Sequence, residues 1–153
     1  MFSRPKISRA TPPVVPPSIE VHLVRHGQAH DDNGIDSHGP ELTPEGHRQA
    51  NLLAKRLAKN RYAGIYCSDL TRARQTADAI ALHHTDNALT LTRDLREVSG
   101  FHSAVHMSRL TVQTDRSMIE EHEAMNRVIN HIRKSHPQGE CILIVSHGNI
   151  TRS

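Results

Sequence analysis

Two histidines stand at points where this chain can place chemistry. His26 follows the apolar run Ile19 to Arg25, and His147 follows the most apolar run of all, Cys141 to Val145 with Ser146 behind it. Arg25 adjoins the first histidine, and Arg72 falls in the first turn of an expected helix. An arginine fork binds phosphate oxygens two at a time and never loses its charge. The free N–H groups of a helix start add anion affinity. A neutral imidazole attacks phosphorus and becomes a phosphohistidine. A carboxylic acid beside it protonates the leaving oxygen and then activates water, and Glu97, just beyond a third strand, holds that place in the chain. Arg25, His26, Arg72, Glu97 and His147 together read as a phosphate pocket with a nucleophile in it.

The elements that must position these residues alternate. Ile19–Arg25 reads as a strand that turns at Gly27. Thr43-Pro44-Glu45 opens a helix, with Thr as the cap, Pro in the first turn and an acid behind it. Ala50, Leu53, Ala54 and Leu57 share one face of that helix at 3.6 spacing. Ala63–Cys67 is a second strand. Ser68-Asp69 opens a second helix with the stripe Leu70, Ala73, Ala77, Ile80 and Ala81. Ala88–Thr92 is a third strand, and Gly100–Thr114 is irregular or weakly helical. A third helix runs from Ser117 to His136, with Ser117 and Glu120 as a capping box and Met118, Met125, Val128, Ile129 and Ile132 facing the core. Cys141–Val145 is the central strand. This alternation predicts an α/β fold, three layers deep, with a mostly parallel sheet flanked by helices. Ligands gather at the carboxyl ends of such strands, and His26, Ser68, Glu97 and His147 all lie there.

The blocks that carry these residues resemble one family. Leu23-Val24-Arg25-His26-Gly27-Gln28 is similar to the RHG signature of the histidine phosphatase superfamily, the phosphoglycerate mutase-like proteins. Leu42-Thr43-Pro44-Glu45-Gly46 resembles its helix-opening block. The run Ser68-Asp69-Leu70-Thr71-Arg72-Ala73-Arg74-Gln75-Thr76-Ala77 resembles its SxLxRAxQTA block. Leu95-Arg96-Glu97 resembles its acid motif, and Ser146-His147-Gly148-Asn149-Ile150-Thr151-Arg152 its second-histidine block. A lone RHG is weak; five blocks in family order are specific. Arg72-Ala73 and His147-Gly148-Asn149 also resemble the branch that holds a mitochondrial serine/threonine protein phosphatase.

The resemblance implies a phosphoglycerate mutase-like fold with His26 as the phosphate-carrying nucleophile. It implies that Glu97 is first proton donor and then base, and that Arg25, Arg72, His147 and Gly27 bind the phosphate. It implies no cofactor and no metal, because two arginines and a protonated histidine supply the positive charge. The implied activity is a metal-independent phosphatase acting on a phosphorylated small molecule or a phosphoprotein. The alternatives are a phosphoglycerate mutase-type phosphotransferase and a non-catalytic phosphate-binding scaffold. Three departures stand out. Asp32 occupies the place where mutase-like members carry an Asn. Val98-Ser99-Gly100-Phe101-His102 replaces an aromatic-rich continuation. The segment from Glu97 to His147 is short, which implies a small cap and favours hydrolysis over transfer. The second-histidine block ends at Ser153, where the family continues, so the expectation is a chain incomplete at its C-terminus.

Composition excludes other classes. The chain has 153 residues, enough for one core, and only 3% are aromatic, so Leu, Ile, Val and Ala must build that core. No apolar run approaches the ~20 residues of a membrane helix. The net charge of +3 is too small to argue nucleic acid. Residues 1–19 hold five prolines and three basic residues without an acid, and read as a disordered tail ahead of a domain at 20–153. The start is faintly transit-like, but a cytoplasmic protein is the expectation. Cys67 and Cys141 read as small core residues in a reducing compartment. The 13 histidines raise a metal hypothesis, but His22, His26 and His30, spaced by four, do not share a helix, and the pair His102 and His106 lacks a Cys or carboxylate at ligand spacing. Arg74 reads as a solvated helix residue and Arg152 as a support. Nothing in the chain indicates its oligomeric state.

Overall fold

The computed structural model describes residues 18–31, 36–97 and 111–148, with the side chains of 111–118 and 121 left outside the description. The chain runs β1 (Glu20–Arg25), α1 (Pro44–Leu57), β2 (Gly64–Ser68), α2 (Thr71–Ala81), β3 (Leu89–Thr92), a 3-10 turn at Arg93–Leu95, α3 (Thr111–Ser135) and β4 (Cys141–Ser146). The four strands form one sheet in the order β1-β4-β2-β3, and every pairing is parallel. The helices cover both faces, because consecutive parallel strands need crossovers.

One face packs on α1 and α2. Ala54 from α1 and Ala73, Ala77 and Ile80 from α2 meet Ile65, Cys67, Leu143 and Val145 of the sheet. The small alanines let the two helices lie close on the strands. The other face packs on α3, where Val128 and Ile132 meet Tyr66, Ile142 and Ile144 over the buried Leu95. The layers are therefore helix, sheet and helix, as the alternating pattern predicts. Cys67 is fully buried, as expected of a core cysteine.

Two helix starts differ from expectation. α2 is capped at Leu70, not at Ser68-Asp69. Ser68 completes β2 and stays in register with Thr92, because its hydroxyl is needed beneath the loop. α3 begins at Thr111, so Ser117 lies inside the helix and does not cap it. Gly139 donates its N–H to the Ser18 carbonyl, and Ile19 packs against the α3-side core. By contrast, Thr43 caps α1 as its sequence predicts, accepting from the Gly46 N–H with Pro44 at the first helical position.

The β1·β4 register positions the site. Glu20 pairs with Cys141 and Arg25 with Ser146. The residues that follow these strands, His26 and His147, therefore leave the sheet side by side. The His26 N–H extends the ladder by donating to the Ser146 carbonyl at 3.0 Å.

Candidate active site

The ring centroids of His26 and His147 lie 5.0 Å apart, close to one strand spacing. His26 Nδ1 lies 2.7 Å from the Gly27 carbonyl, and Arg72 donates Nε–H to His26 Nε2 at 3.2 Å. A carbonyl only accepts and a guanidinium only donates, so Nδ1 carries the proton and Nε2 a lone pair. Burial pushes the His26 pKa down, and Arg72 and Arg25 push the same way, against the Gly27 bond and Glu97. The imidazole is neutral and presents a nucleophilic nitrogen.

The Gly27 N–H donates to Thr76 Oγ1 at 3.1 Å, and Thr76 in turn donates to the Arg72 carbonyl. Its role is to hold His26 and to join β1 to α2. The turn is tight against α1: a Cβ on Gly27 would stand 2.6 Å from the Gly46 carbonyl oxygen. No larger residue fits without moving the start of that helix.

His147 is fully buried. Its Nε2 lies 2.9 Å from Ser68 Oγ, which already accepts the Leu70 N–H. Among the described residues Nδ1 has no hydrogen-bond partner, and it lies 4.0 Å from Glu97 Oε2. Burial, then Arg72, His26 and Arg25, hold its pKa down at about 3. His147 is neutral here, because the dry site and the cations around it oppose a second charge.

Arg72 links the parts. Besides His26 it reaches Glu97 Oε2 through Nη2 at 3.2 Å, with both side chains largely buried, at 11% and 16% exposure. Glu97 is held from behind: Arg96 forks onto Asp69, with Nη2 at 2.7 Å, and this ties the loop after β3 to the loop after β2. Ser146 strengthens that tie by donating to the Leu95 carbonyl. Arg25 is exposed and lies along Gly148, where an added Cβ would stand 3.1 Å from the guanidinium.

The structure thus gathers His26, Arg72, Glu97 and His147 in one place, with Arg25 at the rim. Sequence reasoning missed three supports: Ser68 as the hydroxyl that holds His147 Nε2, Thr76 as the anchor of Gly27, and the Asp69–Arg96 pair. All three lie inside the motif blocks, but their partners are long-range. Arg74 is a solvated helix residue as expected, paired with Asp78. Asp32, Val98–His102, His106 and Asn149–Arg152 lie outside the described residues, as do residues 1–17 and the Met118 side chain.

The α/β sheet and the histidine pair define a class, and comparison names it. The histidine phosphatase superfamily (branch 1) matches residues 21–102, more than half of the chain, and the chain belongs to that superfamily. The mitochondrial serine/threonine-protein phosphatase Pgam5 of Caenorhabditis elegans is 28% identical over 138 residues, covering 86% of this chain and 47% of that protein. Phosphoglycerate mutase-like protein 4 of Arabidopsis thaliana is 28% identical over 158 residues, 88% of this chain and 68% of that protein. The chain spans about half the length of the first of these. The solved mycobacterial glucosyl-3-phosphoglycerate phosphatase complexed with VO3 shares the fold at a TM-score of 0.66 with 21% identity, covering 84% of this chain and 75% of that one.

Proposed function

We propose that this chain is a phosphatase that hydrolyses phosphomonoesters through a phosphohistidine on His26, without a metal ion. The observation that carries the reading is the His26 tautomer: Nδ1–H is fixed on the Gly27 carbonyl, and the Nε2 lone pair meets the Arg72 guanidinium. A phosphate that takes Arg72 for itself frees Nε2 and draws phosphorus up to it. Arg25 and the His147 Nδ1–H then bind the remaining oxygens. An anion beside His147 also offsets the repulsion that depresses its pKa, so a proton can join it there.

In the first half-reaction the Nε2 electron pair forms the N–P bond while the P–O bond to the alcohol breaks. The carboxylic acid form of Glu97 gives its proton to the departing oxygen. In the second, the Glu97 carboxylate takes a proton from water, the hydroxide oxygen bonds phosphorus, and the N–P bond breaks to return neutral His26. Two arginines and a His147 protonated beside the bound phosphate supply the positive field that a metal supplies elsewhere. The phosphatase name of Pgam5 supports hydrolysis.

Rapid quench into alkaline detergent during turnover of radiolabelled substrate tests the reading. The label is expected on His26 as an acid-labile, base-stable adduct, and His26→Ala should abolish both adduct and turnover. Turnover retained in that variant would sink the mechanism.

A further inference from the structure

The β1·β4 ladder carries a second cluster at its other end. Glu20 and His22 lie on the same face of β1, two residues apart, and Cys141 stands across from Glu20 in register. Their donor atoms, a carboxylate oxygen, an imidazole nitrogen and a thiol sulfur, all lie within 4.8 Å of one another. Glu20 Oε1 and His22 Nε2 are 2.8 Å apart. At about 3.3 Å per residue the cluster is ~13 Å along the strand from His26, so the phosphate pocket does not use it.

We propose that Glu20, His22 and Cys141 form a zinc site that staples β1 to β4. Thiolate, imidazole and carboxylate are together the zinc donor set, and the thiolate disfavours magnesium and calcium. Opening the Glu20–His22 contact to the spacing of a tetrahedral shell needs only small side-chain rotations. The fourth position faces water, since the Glu20 and His22 side chains are 70% and 33% exposed.

The support around His22 matches that use. Metal-binding histidines direct their second nitrogen to a partner that sets the tautomer. His22 Nδ1 lies 2.9 Å from Tyr62 Oη, and Asn60 donates to the same oxygen at 3.0 Å. Without metal, Nε2–H bonds the Glu20 carboxylate and the Tyr62 hydroxyl donates to Nδ1. When zinc takes the Nε2 lone pair, the ring proton moves to Nδ1 and Tyr62 accepts it. The ring stays neutral, and the Cys141 thiol gives one proton to solvent as its sulfur bonds the ion. Tyr62 is itself packed in the core with Ala54 and Leu143, so the anchor is rigid. The four-spaced histidines of the sequence suggest no such site, because the partners come from a neighbouring strand.

The test uses the untagged 153-residue chain stripped of metal. Titration with Co²⁺ is expected to give one equivalent with a thiolate-to-cobalt charge-transfer band, displaced by Zn²⁺. Cys141→Ser should remove the band, and Tyr62→Phe should weaken binding about ten-fold. In the unaltered chain, zinc should protect Cys141 from iodoacetamide and raise the urea midpoint. Absence of the band, a band unchanged in Cys141→Ser, or equal alkylation of Cys141 with and without zinc overturns the proposal. The alkylation measurement needs no variant, so a substitution that fails to fold does not blunt it.

Discussion

Replacing Arg72 separates geometry from charge in this site. The guanidinium spans two partners at once, Nε to His26 and Nη2 to Glu97, each at 3.2 Å, with 11% of the side chain exposed. Arg72→Lys keeps the positive charge but offers a single ammonium, which cannot reproduce a planar fork. Losing one preorganised donor to developing charge lowers kcat by about 10²–10³-fold, or roughly 2.7–4 kcal/mol. We expect that loss for Arg72→Lys, measured as steady-state hydrolysis of p-nitrophenyl phosphate, with KM less affected than kcat. Arg72→Met removes the charge as well. Because Arg72 lowers the pKa of His26 and of His147, its removal raises both. His26 attacks as the neutral form, so the acid limb of the kcat/KM profile should move to higher pH in Arg72→Met and stay in place in Arg72→Lys. A lysine variant within about three-fold of wild type would show that the fork does not act on the transition state.

Glu97→Gln should slow alkyl phosphates far more than p-nitrophenyl phosphate, because a basic alkoxide needs a proton to leave and nitrophenolate does not; equal losses for both in a panel of leaving groups would remove Glu97 as the acid. Chelator should leave the rate of phosphate release unchanged even after zinc has been stripped from the chain, and a loss restored by zinc or magnesium would reverse this. Stability should fall as pH drops from about 6.5 towards 3, since the folded chain holds His147 near 3 while the unfolded chain takes up the proton at its ordinary pKa. The full difference is on the order of 5 kcal/mol, and His147→Gln should flatten the urea midpoint against pH over that window.

The site was legible where the information is local. His26, Arg72, Glu97 and His147 each sit inside a short block whose residue types carry the chemistry, and each block follows a strand that its apolar pattern reveals. The Thr43 cap and the alanine stripes of α1 and α2 are local too, and they fold as read. What the sequence hid is set by pairing. Nothing local says that the Gly27 N–H is spent on Thr76, 49 residues away, or that Ser68 belongs to the strand beneath the loop and turns the His147 ring. The depressed pKa of His147 is hidden for the same reason. A histidine in a phosphate pocket suggests an imidazolium, but its burial and its three cationic or imidazole neighbours exist only after folding. The start of α3 was misplaced because Ser117 and Glu120 match a cap pattern, and the helix runs through it.

One register governs both ends of this molecule. Pairing Arg25 with Ser146 sends His26 and His147 out together, and the same ladder pairs Glu20 with Cys141 beneath His22. A slip of one residue reverses which face each side chain of β1 occupies. It would turn His26 away from Arg72, move Val24 out of the core on α1 and α2, and separate His22 from Tyr62. The face that must be buried therefore selects the alignment that the nucleophile requires. A metal bound at the amino end of the two strands would act on that alignment without touching the phosphate, since it joins β1 and β4 in the one register where Glu20, His22 and Cys141 share a face. Catalytic geometry at one end of the ladder and ligand geometry at the other are thus two readings of a single strand pairing, which the buried face of β1 already fixes without metal.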